Sequence, residues 1–428
     1  MLVNSEKKYL SVFLWLFLYA SNPVAGQCLF EEDSLLSNTL YGFAVKEAGD
    51  SDLLVDCRSH YLFTPASNTK LLTLYASLFL LEKEMEGIRY RTANDTLYFT
   101  GTANPALLHP DFPKCVSLAF LQKCALPLVY VPSIHKIAPL GPGWAWDDYY
   151  DRISTECSTF PLYGNFVRVR FLEEENTISP ALFCDSLAQS AETLPYAVTR
   201  ALHSNLFYRA KSCRYERDSA DLPFRTSDAL TALLLQDTLQ KPVLARGKDI
   251  NWFQSTKEAV RDTLLRYMMQ ESDNFIAEQM LHHIHLQQFD TMDYSACLEL
   301  LKDSLFYQLP DPFVWKDGSG LSRYNLNSPA NLLKTYDLLE KLIGRDRLLT
   351  FLAAGGQSGT LKDQFVSEEP FVFGKSGSMS NNYILSGYLI AKSGKVLNFC
   401  FMATHFPCRV AVMKKKVEQI LTRVREEW

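Results

Sequence analysis

The amino-acid sequence predicts an α/β (α+β) fold: one antiparallel sheet fed by both ends of the chain, helices on its faces, and a strand-rich inserted domain. Three observations carry this. Alternating apolar and polar residues mark a hairpin near the N-terminus, and three segments near the C-terminus read as strands. Between residues 227 and 352 apolar residues recur at helical spacing. Residues 88–222 instead alternate short strand-like runs with turn-rich stretches.

The chain has 428 residues, 47% hydrophobic and 21% charged, with a formal net charge of −5. It can bury a substantial core and is not of disordered composition. No long basic run is present, so no nucleic-acid partner is expected.

Lys7 and Lys8 precede an apolar run from Tyr9 to Ala20, and Ser21 to Gly26 supply a small-residue exit. That pattern reads as a signal peptide over residues 1–26, cleaved after Gly26. At about 12 residues the run falls short of the ~20 that span a bilayer, so no stable membrane span is expected. An exported, periplasmic protein is the reading. Ten cysteines remain after the cut, and export permits disulfides. Buried thiols fit equally well, and Cys400 with Cys408 or Cys115 with Cys124 are local pairs within reach.

Tyr41–Lys46 and Leu53–Asp56 form a hairpin around the turn EAGDSD. FTPASNTKLL then opens a helix with Leu71, Leu74, Leu78 and Leu81 on its apolar side. Strand-like IRYR, TLYFTG and NFVRVRF lie in the inserted domain, residues 88–222. Helices are expected at 227–239, 255–269, 275–286, 329–342 and 345–352, and strands at 371–375, 384–391 and 396–405. Val410, Met413, Val417, Leu421 and Val424 stripe a C-terminal helix. Residues 27–87 and 223–428 thus make one catalytic domain, and the insert is expected to be dispensable for its chemistry.

Ser67 opens the first helix with Lys70 three residues on, on the same face. A serine there is either a helix cap or a nucleophile whose proton a neutral lysine takes. The S-x-x-K pattern is weak alone and also occurs at Ser5/Lys8 and Ser133/Lys136, neither of which opens an apolar helix. Two further motifs change its weight. Ser272-Asp273-Asn274 lies between two expected helices, and Lys375-Ser376-Gly377 ends an expected strand. In that order the three form the signature of penicillin-recognising enzymes, with serine in place of threonine in the last. Decoys at Ser380-Asn381-Asn382 and Lys392-Ser393-Gly394 fall in a strand connection and a hairpin turn.

The chain resembles the D-alanyl-D-alanine carboxypeptidase/endopeptidase family, the low-molecular-mass class C penicillin-binding proteins. Besides the motifs, GPGWAWDD (141–148), DGSGLSR (317–323), GQSGTL (356–361) and GKSGSMSNNYILSGYL (374–389) resemble that family's segments. The resemblance implies a β-lactamase/transpeptidase-like fold. It implies hydrolysis of peptidoglycan stem peptides through an acyl-enzyme on Ser67, with Lys70 as proton acceptor. Ser272 would relay a proton, Asn274 would hold Lys70 and the substrate amide, and Lys375 with Ser376 would receive the terminal carboxylate. Gly377 and Ser378 would line the substrate, and the Ser67 and Ser378 N–H groups would form the oxyanion hole. β-Lactams would be covalent inhibitors, and neither metal nor organic cofactor is implied. A β-lactamase or esterase of the same fold, and a non-catalytic peptidoglycan-binding relative, are the alternatives. His282, His283 and His285 carry no ligand pattern that supports a metal. Trp144 and Trp146 are the aromatic pair to examine for carbohydrate stacking.

Overall fold

A computed structural model describes residues 24–25, 33–112, 114–171, 177–190, 196–210, 218–247, 250–289 and 293–428. The expected signal peptide, residues 1–26, lies outside the described residues except for Val24–Ala25. That short strand pairs in parallel with Val55 and Asp56.

The main sheet runs Val24–Ala25, Leu53–Cys57, Leu40–Glu47, Val396–Thr404, Asn382–Ile390, Val372–Met379, Ala353–Ala354. The two ends of the chain meet at its centre, where Phe43 stands opposite Phe401 in an antiparallel ladder. The expected hairpin and all three late strands are present. The central strands are buried on both faces, so the two-residue period sorts each strand between two cores. Ile384 and Tyr388 face a helical layer, while Tyr383, Leu385 and Leu389 face the opposite side.

On the first side lie helices Lys70–Leu80, Arg261–Gln270, Asn274–Gln288, Tyr294–Leu305 and Pro329–Ile343. Leu74, Met268, Met280 and Leu333 pack there with Ile384 and Met402. Each such side chain contributes about 1.5–3 kcal/mol by leaving water. On the second side the helix Val410–Glu427 buries Met413, Val417, Leu421 and Val424, the stripe its spacing predicts. The helix Tyr294–Leu305 was not expected from the sequence. Residues 255–258, expected as the start of a helix, belong instead to the strand Gln254–Glu258. Gln254 and Glu258 pair with Tyr90 and Met85 of Met85–Ala93.

That strand moves the expected border of the insert. The chain does not rejoin the core at Pro223. The helix Asp228–Leu239 buries Leu234, Leu235 and Leu239 in one cluster with Ile88, Phe99, Val167 and Phe224. Val243–Ala245 and Gln254–Glu258 then form the two edges of a five-stranded sheet with Leu128–Tyr130, Thr96–Gly101 and Met85–Ala93. Helical periodicity after Ser227 marks a helix of the insert, not a return to the core. The chain re-enters the helical layer at Arg261, the start of the next helix.

Cys57 is disulfide-bonded. Cys115, Cys124, Cys400 and Cys408 are free thiols, so neither local pair forms.

Candidate active site

The nucleophile motif sits where a short 3-10 turn, Ala66–Thr69, runs into the helix Lys70–Leu80. Neither element takes a side-chain cap at its start. Ser67 thus caps neither element, and its Oγ lies 3.0 Å from Lys70 Nζ. Lys70 Nζ also lies 2.7 Å from Asn274 Oδ1 and 2.8 Å from the Ser319 carbonyl. Ser67 keeps part of its surface in solvent, while Lys70 is fully buried. Burial pushes the Lys70 amine down to about 8, against the opposing pull of Asp273, Glu278 and Asp317. An amine in that range is neutral often enough near neutral pH to take a proton.

The second motif turns between two helices. Ser272 adopts φ +60°, a left-handed conformation uncommon for serine. Such backbone strain gathers at functional sites. Asp273 caps the following helix by accepting from Ile276 N at 2.8 Å. It thus faces away from Ser67, and Asn274 begins the helix beside Lys70.

The third motif lies on the strand Val372–Met379. Lys375 Nζ donates to Ser272 Oγ at 2.9 Å and to the Ser376 carbonyl at 2.7 Å. It is fully buried. Burial first, then the charge of Lys70, holds its amine well below the ordinary lysine range. Ser376 Oγ donates to Thr360 Oγ1 at 2.7 Å. Gly377 is required by close approach: a Cβ there would stand 2.8 Å from Ser67 N. The strand and the nucleophile turn are thereby held together. Ser378 is exposed at the strand's end.

The six motif residues from three distant segments, Ser67, Lys70, Ser272, Asn274, Lys375 and Ser376, form one cluster. The decoys do not join it. Lys392 is exposed and pairs with Glu426. Ser133 lies in a loop after Leu128–Tyr130. A cavity of about 820 Å³ lined by Lys46, His60, Asp337 and Glu340 shares no residue with the cluster, so chemistry rather than volume locates the site.

Several contributors were not assigned from sequence. Ser319 offers its carbonyl to Lys70, and Thr360 orients Ser376. Glu278 accepts from the N–H groups of Gly318 and Ser319 at 2.9 and 2.8 Å. Its spacing was the available signal, because Glu278 follows Asn274 by one helical turn in an otherwise apolar stretch. Burial, then Asp317, pushes its carboxyl up to about 8. Gly320, at φ +81°, packs so closely on Ala66 that no Cβ fits. The insert also reaches the site. Asn274 Nδ2 donates to the Ile153 carbonyl at 2.9 Å, and Trp144 Nε1 donates to Asp317 at 2.9 Å. Trp146 is exposed. His283 hydrogen-bonds the Thr102 carbonyl at 2.6 Å, and the His282 ring lies tilted against Tyr294, centroids 4.2 Å apart. Among the described residues no cluster of His, Cys, Asp or Glu has metal-binding geometry.

Comparison with known proteins follows this geometry. The chain is 22% identical over 406 residues to D-alanyl-D-alanine carboxypeptidase DacB of Haemophilus influenzae, covering 84% of each. Its fold matches penicillin binding protein 4 of the same organism, solved in complex with a β-lactam. The TM-score is 0.71 at 18% identity, over 93% of this chain and 100% of that one. A predatory endopeptidase of Bdellovibrio bacteriovorus, acylated by penicillin G and bound to an immunity protein, matches with a TM-score of 0.51 at 12% identity. That match covers 90% of this chain and 93% of the other. The model of the D-Ala-D-Ala carboxypeptidase 3 (S13) family matches residues 29–201 and 255–424, and the chain belongs to that family.

Proposed function

We propose that the chain carries out the reaction of its family on peptidoglycan stem peptides, as a serine-type D-Ala-D-Ala carboxypeptidase working through an acyl-enzyme on Ser67. The observation that carries this is the double lysine arrangement, with Lys70 Nζ on Ser67 Oγ and Lys375 Nζ on Ser272 Oγ.

Ser67 Oγ attacks the carbonyl carbon between the two terminal D-alanines, and its proton passes to Lys70 Nζ. The N–H groups of Ser67 and Ser378 receive the developing oxyanion, the kind of preorganised donor that contributes most to such barriers. The C–N bond breaks, and Ser272 Oγ hands a proton to the leaving amine, resupplied from Lys375 or Lys70. Water then attacks the acyl-enzyme and restores Ser67. Lys375 and Ser376 hold the substrate's terminal carboxylate, and Asn274 orients both Lys70 and the substrate amide.

A β-lactam presents a strained amide and a carboxylate to the same groups, so it acylates Ser67. The β-lactam complexes of the two structural relatives support this. Cross-linked peptides end in the same type of bond, so endopeptidase action needs no further group. Export to the periplasm is supported by the N-terminal pattern and by the disulfide at Cys57. Among the described residues no helix is long and apolar enough to cross a membrane.

The test is product identity. Purified protein incubated with pentapeptide muropeptides should release free D-alanine, seen by mass, and Ser67→Ala should release none. Unchanged pentapeptides with hydrolysed p-nitrophenyl esters would favour the esterase reading instead.

A further inference from the structure

Arg152 lies in the insert, far in sequence from every motif, yet it reaches the second motif directly. Its guanidinium lies 3.2 Å from Asp273 Oδ2 and 2.8 Å from Asp221 Oδ2. It donates to Tyr267 Oη at 3.4 Å and sits over the Phe166 ring at 4.6 Å. Arg168 braces the same cluster, 2.7 Å from Asp221 and 2.9 Å from Asp111, while Tyr267 Oη donates to Asp111 at 3.0 Å. The next residue, Ile153, supplies the carbonyl that accepts from Asn274 Nδ2.

We infer that Arg152 is a positioning residue supplied by the insert. Through its pair with Asp273 and the adjoining Ile153 carbonyl, it fixes the Ser272–Asn274 turn and screens Asp273 from Lys70. This rests on the role of Lys70 given above.

The geometry requires both halves of this. Asn274 has two polar ends. Its Oδ1 meets Lys70 and its Nδ2 meets Ile153, so the Arg152–Ile153 segment selects the amide's orientation. Asp273 is mostly buried, with its side chain 7% exposed. Its charge needs a partner, because an unpaired buried carboxylate is costly. Asp221, Asp111 and Asp273 crowd three carboxylates around two arginines, so removing Arg152 leaves the Asp273 charge uncompensated within the field that acts on Lys70. The charged groups around Lys70 are Asp273, Glu278 and Asp317, which favour its ammonium form, and Lys375, which opposes it.

The experiment measures the second-order rate of acylation by a fluorescent penicillin against pH in the full chain. Arg152→Ala should lower the rate at least about tenfold, since small misplacements of catalytic groups cost that much or more. It should also move the acid limb to higher pH, because uncompensated Asp273 stabilises protonated Lys70. Arg152→Lys should recover part of the rate. Arg152→Ala with Asp273→Asn should return the limb toward its original position, and asparagine keeps the helix cap. A folded Arg152→Ala with unchanged rate and limb would overturn the inference, as would a limb shift that Asp273→Asn does not reverse. Should Arg152→Ala not fold, Asp273→Asn alone decides. It should move the limb to lower pH, and an unmoved limb would count against the screening role. Loss of S-D-N function itself would show instead in Asn274→Ala, whose rate falls without the reversal by Asp273→Asn.

Discussion

Lys375 Nζ stands 2.9 Å from Ser272 Oγ, as Lys70 Nζ stands 3.0 Å from Ser67 Oγ. Two buried lysines thus each hold one serine, and each lysine's charge disfavours the other's. In the proposed mechanism Ser67 attacks and Ser272 returns the proton.

Lys375→Ala should slow acylation by penicillin far more than Lys392→Ala does. A charge lost beside the developing oxyanion and the substrate carboxylate costs about 3 kcal/mol of barrier. Lys392 is exposed in a hairpin, and its ammonium pairs with Glu426. Stopped-flow acylation rates compare the two, and equal rates would reverse the choice between the two K-S-G sequences.

Acylation should gain rate as pH rises toward and through about 8, where Lys70 sheds its proton. The sign follows from burial, which lowers a lysine so that its neutral, proton-accepting form appears below the usual range near 10.4. Activity is therefore lost as pH falls below about 8. A pH–rate profile of acylation checks this, and a limb near 10 would mean that Lys70 is not desolvated as described.

Gly377→Ala should cut acylation by more than about tenfold while destabilising the fold by about 1–3 kcal/mol, the usual range for overpacking. The added Cβ would press on Ser67 N at 2.8 Å, and backbone there has little room to yield. Thermal melts and acylation rates on one preparation separate the two effects.

Much of this was legible in the sequence. The strand-like runs around Phe43 and Phe401 and the stripe Met413–Val424 marked the sheet and its last helix, because apolar patterning reflects burial directly. The three motifs marked Ser67, Lys70, Ser272, Asn274 and Lys375 because each sat at the right kind of element boundary. The border of the insert was not legible. Leu234 and Leu235 have the same helical spacing whichever core they join, and only the pairing of Gln254–Glu258 with Met85–Ala93 tells which. Arg152 was hidden for the same reason, since a lone arginine in a loop gains meaning only from what lies across from it.

These contacts predict, contrary to the expectation from sequence, that the insert is needed for the full rate of the chemistry. Replacing residues 85–258 with a Gly/Ser linker removes the Ile153 carbonyl from Asn274 and Arg152 from Asp273. Such a variant, where folded by circular dichroism, should acylate at least about tenfold more slowly. Acylation at the full rate would show that the insert only covers the site.

The most direct measurement is the mass of the protein after incubation with benzylpenicillin, followed by location of the adduct in a protease digest. The account predicts one penicilloyl group per chain, on the peptide containing Ser67, and no adduct on Ser67→Ala. An adduct on another serine, or labelling that survives Ser67→Ala, would contradict it.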